Sequence, residues 1–156
     1  DLPRLTTYAE NLEQDRSLKS DSSLVLIGRR SRKSHNSWMH NNKEIKHPDS
    51  NCVYIHPDDA AARRLADGDR AKISNGDNFI VLPVSITTDL MKGVIAASHG
   101  WGHQDSKNRK SRELSGENVN KVIPGGNAHM EPASGQAIML AHPVQIVKFA
   151  GTPASQ

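Results

Sequence analysis

Apolar residues along this chain fall into short runs bounded by turn residues, with almost no sustained helical period. Residues 24–27 form a continuous apolar run of strand length that stops at Gly28, as expected of a strand covered on both faces. Residues 52–55 read as a second short strand and residues 70–74 as a third. Asn75-Gly76-Asp77-Asn78 supplies a hairpin turn, and residues 79–84 form the return, in which Pro83 predicts a sheet edge or a bulge. Residues 94–97 are a buried-type strand, and apolar stretches at 137–140 and 144–147 close the domain. One helix stands out. Pro57 suits a first helical position, Asp58 and Asp59 face the positive end of the dipole, the helix runs to Leu65, and Gly68 closes the turn after it. The pattern predicts a mainly β domain with one or two short helices and long loops, without an internal repeat.

Composition narrows this picture in two ways. Only 35% of the 156 residues are hydrophobic and 4% aromatic, so the core is modest and part of the surface belongs to loops or faces a partner. The length fits one domain. The polar opening residues 1–22, which begin with Asp1 rather than Met, are expected to be a linker or frayed segment cut from a longer polypeptide. The domain is then residues 23–149, with 150–156 a disordered tail. No run approaches the roughly 20 apolar residues of a membrane span and no leader is visible, so no membrane insertion is expected. Cys52, the sole cysteine, excludes disulfides within the chain and thiolate metal clusters, and is expected to pack as a small apolar residue.

Formal net charge is only +3, too little to argue for nucleic acid, but its clustering at residues 29–33 and 107–112 is informative. The second cluster reads as a solvated loop. The first follows a strand. Gly28 permits close approach, Arg29, Arg30, Arg32 and Lys33 can meet phosphate, and Ser34, His35, Asn36 and Ser37 offer donors and acceptors to a ring edge. Trp38 and Met39, two large apolar residues amid this polarity, call for a surface to cover. A second loop, residues 98–103, carries His99, Gly100, Trp101 and His103. The two histidines are four apart, but the intervening glycines deny them a helix, so no zinc site is expected. Residues 104–116 are charged and aperiodic, and residues 117–135 form a long irregular stretch of the kind that is functional or disordered.

These pieces resemble, in order, the C-terminal domain of the molybdopterin-dinucleotide oxidoreductases, the family of formate dehydrogenases, nitrate reductases and dimethyl sulfoxide reductase. The likeness covers residues 22–149. It rests on Leu26-Ile27-Gly28-Arg29-Arg30 leading to Ser34-His35-Asn36-Ser37-Trp38-Met39-His40-Asn41, and on His56-Pro57-Asp58-Asp59-Ala60 through Leu65-Ala66-Asp67-Gly68-Asp69. It rests also on Met91-Lys92-Gly93-Val94 running to His99-Gly100-Trp101-Gly102-His103, and on Val119-Asn120 followed by Pro132-Ala133-Ser134-Gly135.

The resemblance implies a six-stranded double-psi β-barrel that closes over a molybdopterin guanine dinucleotide. It implicates Gly28, Arg29, Arg30, Ser34, His35, Asn36, Ser37 and Trp38 on the first loop, His99, Gly100 and Trp101 on the second, and Asn118, Asn120, Ser134, Gly135 and Gln136 on the third. It implies molybdenum or tungsten held by the cofactor, with the protein ligand to the metal outside this chain and no catalytic residue within it. The implied partners are the upstream domains of the same polypeptide and an electron-transfer subunit. The wording of residues 34–40 looks closest to formate-dehydrogenase-like members.

The expected compartment is the cytoplasm, with the periplasm open; substrate, electron acceptor and oligomeric state have no determinant in these residues. Two rivals on the same barrel are a free-standing protein-interaction module, which would present an apolar groove, and a pyruvoyl-type decarboxylase. The latter needs a Gly-Ser cleavage site, a dipeptide absent from this sequence.

Overall fold

The structure, a computed structural model, describes residues 6, 23–30, 35–38, 40, 51–103, 107, 116–126, 129–131, 134–139 and 141–151. Six strands appear where alternation and apolar runs predict them: β1 (Leu24–Arg29), β2 (Val53–Ile55), β3 (Arg70–Asn75), β4 (Asn78–Ile86), β5 (Val94–Ser98) and β6 (His142–Lys148). They close into a barrel in the order β1-β5-β2-β4-β3-β6. Side chains at alternate positions point inward. Leu24 and Leu26, Val53 and Ile55, Ile73, Ile80 and Leu82, Ile95 and Ala97, and Val144 and Ile146 form one buried cluster in the interior.

The pairing has a hidden twofold. Two neighbouring pairs are parallel, β1 with β5 and β2 with β4, and the remaining four are antiparallel. Exchanging β1, β2 and β3 for β4, β5 and β6 interchanges the two parallel pairs, interchanges β3·β4 with β1·β6, and returns β2·β5 and β3·β6 to themselves, as a double-psi barrel requires. No sequence repeat accompanies it. The operation swaps the two ends of the barrel, so any difference between the ends comes from the connections.

At one end, β1 and β5 finish side by side, and β2 and β6 begin beside them. The two long connections, residues 30–52 and 99–141, therefore leave from and return to that same mouth. The opposite end carries only short links.

The helix at that opposite end, α1 (Pro57–Ala62), is shorter than expected. His56 caps it, its Nδ1 accepting the Asp58 N–H at 3.2 Å. Arg64 then takes φ +55 and the Leu65 N–H donates to the Ala60 carbonyl. Winding off in this way buries Leu65, which a continued helix would carry past the core.

Pro83, expected at a sheet edge or a bulge, lies inside β4 of a closed barrel, at a stretch left unpaired on one side. The Val84 N–H points to Asp69 on the β3 side, so the missing N–H of Pro83 faces the β2 side, where pairing starts only at Val84. Residues 137–139, expected as a closing apolar stretch, are exposed, and Leu140 lies outside the described residues. So do the opening and closing segments 1–22 and 150–156, apart from Thr6, Ala150 and Gly151. Cys52 is buried beside Tyr54 and Ala96 on the outer side of the barrel.

Two ion pairs clip this scaffold. Asp58 meets Lys92, and Asp69 meets Lys148 at 2.7 Å while also accepting the Ala66 N–H. These contacts hold both carboxyls below the ordinary 3.8. Because the depression exists only in the fold, its stabilisation is present above about pH 4 and is lost as pH falls through the lowered values. The urea midpoint should therefore fall on acidification below about pH 4. Asp69→Asn should flatten that fall; an unchanged slope in the variant would show that the Lys148 pair does not couple to folding.

Candidate functional site

A cavity of about 630 Å³ opens at the mouth from which the long connections leave, a volume within the range of small-ligand sites. Three segments wall it. Gly28, Arg30, Asn36 and Ser37 come from the end of β1 and its following loop, and His99, Gly100, Trp101 and His103 from the loop after β5. Asn118, Asn120 and Met139 come from the connection to β6.

The end of β1 separates the two arginines. Val25, Ile27 and Arg29 alternate onto the outer face, and Arg29 lies over the Tyr54 ring with its guanidinium 3.9 Å from the ring centre. Arg30, one residue past the strand, lines the cavity instead. Gly28 points inward, where the His99 ring covers it: a Cβ there would lie 2.1 Å from His99 Nε2. Glycine is thus the residue that lets a histidine roof the barrel mouth.

The first loop turns tightly at residues 35–38. The Trp38 N–H donates to the His35 carbonyl at 3.0 Å, and Asn36 takes φ +53. That turn aims Asn36 and Ser37 at the cavity and leaves His35 and Trp38 outside it, ring edge to ring face, with Trp38 74% exposed. Ser34 and Met39 lie outside the described residues.

Backbone contacts at two glycines join the loops. A Cβ on Gly100 would lie 2.3 Å from the Asn36 carbonyl carbon and 2.7 Å from the Ser37 nitrogen; one on Gly102 would lie 2.4 Å from Asn118 Cβ and 2.7 Å from its nitrogen. Both glycines have positive φ, +88 and +92, which disfavours any other residue. Trp101 between them is buried, its ring 4.5 Å from that of His40. His103 Nε2 donates to the Gly100 carbonyl at 3.0 Å and closes the turn.

The third wall is a 3₁₀ turn (Val119–Val122) capped by Asn118, whose Oδ1 accepts the Asn120 N–H at 3.0 Å. The cap commits that oxygen, so Asn118 has its two amide N–H donors left for a ligand. Val119 and Val122 plug the barrel interior beneath it. From behind, the Glu117 N–H donates to Asn51 Oδ1 at 2.6 Å. Met139 reaches the cavity from a segment held by His142, whose buried ring donates from Nε2 to the Ile138 carbonyl at 2.6 Å.

Of the residues expected on this loop, Ser134, Gly135 and Gln136 are away from the cavity. They form an exposed local turn in which Gly135 and Ser134 N–H groups donate to Glu131 and the Glu131 N–H donates to the Gln136 carbonyl.

The structure therefore brings together Gly28, Arg30, Asn36, Ser37, His99, Gly100, Trp101, Asn118 and Asn120. Arg29, His35, Trp38, Ser134, Gly135 and Gln136 do not line the cavity. Gly102, His103, Met139 and Asn51 were not foreseen. The repeated glycine around Trp101 was a visible signal for Gly102, whereas nothing local marks Asn51 or Met139. Chemically the wall is a set of amides, a hydroxyl, two imidazoles and one guanidinium, and among the described residues it contains no carboxylate. Such a set receives an anionic ligand with many hydrogen-bonding groups. No cluster of three or more metal-ligating side chains occurs among the described residues.

Comparison with known proteins matches residues 24–139 to the molydopterin dinucleotide binding domain. A 52-residue stretch is 44% identical to dimethyl sulfoxide/trimethylamine N-oxide reductase of Rhodobacter capsulatus, covering 33% of this chain and 6% of that protein. A 56-residue stretch is 36% identical to a tetrathionate reductase polypeptide of Salmonella typhimurium, covering 36% of this chain and again 6% of the relative. The fold resembles that of acetylene hydratase from Pelobacter acetylenicus, with a TM-score of 0.71 at 17% identity, over 88% of this chain and 20% of that one.

Proposed function

This chain belongs to the molydopterin dinucleotide binding domain family, and from that footing we propose that its mouth holds the guanine form of the cofactor within a larger molybdenum- or tungsten-dependent oxidoreductase. The observation that carries the reading is the convergence of three polar loops on one cavity that has Arg30 in its wall and, among the described residues, no carboxylate. The residues fit the group. A pyrophosphate needs a cation, which Arg30 offers, and a pterin or purine edge needs paired donors and acceptors, which Asn36, Ser37, Asn118 and Asn120 supply. Gly28, without a side chain of its own, makes room for the His99 ring at the mouth.

When bound, the cofactor supplies the two-electron or oxygen-atom transfer chemistry; this chain's residues bind and orient it. The metal's protein ligand then sits on another part of the polypeptide, and the fragment by itself has no turnover. The parent's upstream domains are the proposed partners of the mouth, an electron-transfer subunit the proposed partner of the parent, and the cytoplasm the proposed compartment, with the periplasm as its alternative. The matched proteins are named as two reductases and a hydratase, so the substrate is set elsewhere in the parent. The formate-dehydrogenase-like reading accordingly rests on residues 34–40 alone and is tested by a substrate panel on the full polypeptide. A lining of amides and imidazoles, with Trp101 and Met139 as its apolar members, counts against an apolar groove for a protein partner.

The two arginines test the assignment. Losing a charge-assisted contact of about 1.5 to 3 kcal/mol, Arg30→Ala in the full-length polypeptide should lower cofactor affinity by roughly tenfold or more. The purine nucleotide released by acid per mole of protein reads this out. Arg29→Ala, which removes only the contact with Tyr54, should retain nucleotide as the wild type does. Equal losses in both variants, or no nucleotide in the wild type, would sink the reading.

A further inference from the structure

Gly102 does not line the cavity, yet it touches the residue that carries one of the walls. Resting on the dinucleotide-binding reading above, we propose that Gly102 is a positioning residue for the cofactor: it sets how closely the Asn118-capped turn stands to the first loop. The turn from Gly100 to His103 works as a spacer. One side bears on Asn36 and Ser37 through Gly100, and the other bears on Asn118 through Gly102. The His103 bond to the Gly100 carbonyl and the burial of Trp101 keep its width constant.

Asn118 cannot retreat from a larger residue at 102 without disturbing its own turn, because it is anchored on both sides. The preceding Glu117 N–H is tied to Asn51 Oδ1 at 2.6 Å, and the following Val119 is buried in the barrel interior. A methyl at 102 would meet Asn118 Cβ, N and Cα at 2.4, 2.7 and 2.9 Å. Backbone atoms are among these, so a rotamer change does not relieve the contact. The wall must distort around Asn118, carrying its amide and the Asn120 side chain away from the ligand.

Gly126 provides a matched control. Its φ is +91 against +92 for Gly102, so alanine strains both backbones alike, but nothing lies within 4 Å of a Cβ at 126. In the full-length polypeptide, Gly102→Ala should lower nucleotide retention by about tenfold or more while Gly126→Ala stays within about twofold of wild type. In parallel, hydrogen exchange of the peptide spanning residues 116–123 should speed up in Gly102→Ala alone, because displacing Asn118 breaks its cap on the Asn120 N–H.

Equal retention and equal exchange in the two variants would overturn the proposal. So would a Gly102→Ala chain that fails to fold while Gly126→Ala folds, since the contact would then serve the fold rather than the site. If the wild type carries no nucleotide, the binding reading itself fails, and the exchange measurement alone decides whether Gly102 sets the wall.

Discussion

Alanine in place of Ile95 should remove about 2 to 5 kcal/mol of the barrel's stability. Ile95 is fully buried and sits on β5 between two neighbours, opposite Leu26 of β1 and Ile55 of β2. Truncation there leaves a void bounded by two ladders whose backbones are already fixed by pairing, so little collapse is available. Against a total of about 5 to 15 kcal/mol for a natural domain, that loss is a large share. A lower urea midpoint at unchanged slope is the expected reading. A shift worth under about 1 kcal/mol would mean that the interior relaxes into the void and is not close-packed. Phe79→Ala, at a half-exposed position on β4, should cost much less.

The second large effect is expected at Gly100. Alanine there adds about 1 to 2 kcal/mol of left-handed backbone strain and about 1 to 3 kcal/mol of overpacking against the Asn36–Ser37 peptide. Part of this cost can be met locally, by the first and second loops moving apart, so the damage should concentrate at the cavity rather than spread through the barrel. In a Trp38→Phe background, Trp101 is the one tryptophan left. Buried in the wild type between these loops, it should become accessible to acrylamide in Gly100→Ala, and its emission should move to the red. Quenching that stays at the wild-type level would mean that the loops tolerate the methyl and that the contact is not a joint.

Much of this architecture was legible from short-range pattern. All six strands were visible, because a residue paired on both sides must be apolar on its inward face whatever its partner is. The helix start at Pro57 and the turn at Gly68 were visible too, since both depend on residues close along the chain. The end of the helix was not: Arg64 enters a left-handed conformation so that Leu65 reaches the core, and only the position of that core rewards the move.

The adjacent arginines teach the same lesson at the site. Reading β1 as ending at Ile27 leaves Arg29 and Arg30 equivalent on one loop. Pairing with β5 carries the strand on to Arg29, opposite Ser98, and the twofold alternation of a strand then turns Arg29 outward onto Tyr54 and releases Arg30 into the mouth. Gln136 and Asn120 were likewise grouped on one polar connection. Their separation depends on hydrogen bonds to Glu131 and on the valines that draw the 3₁₀ turn into the barrel.

Residue order by itself determined the strands, the family likeness and which connections are long and polar, because alternation, turn chemistry and loop length are properties of neighbours along the chain. Only the folded barrel decided which end those connections share, which arginine faces the cavity and which glycines hold the loops together. The pairing is twofold and makes both ends topologically equal. The asymmetry arises when strands distant in sequence close on one another, and contacts such as Gly102 against Asn118 exist only after that closure.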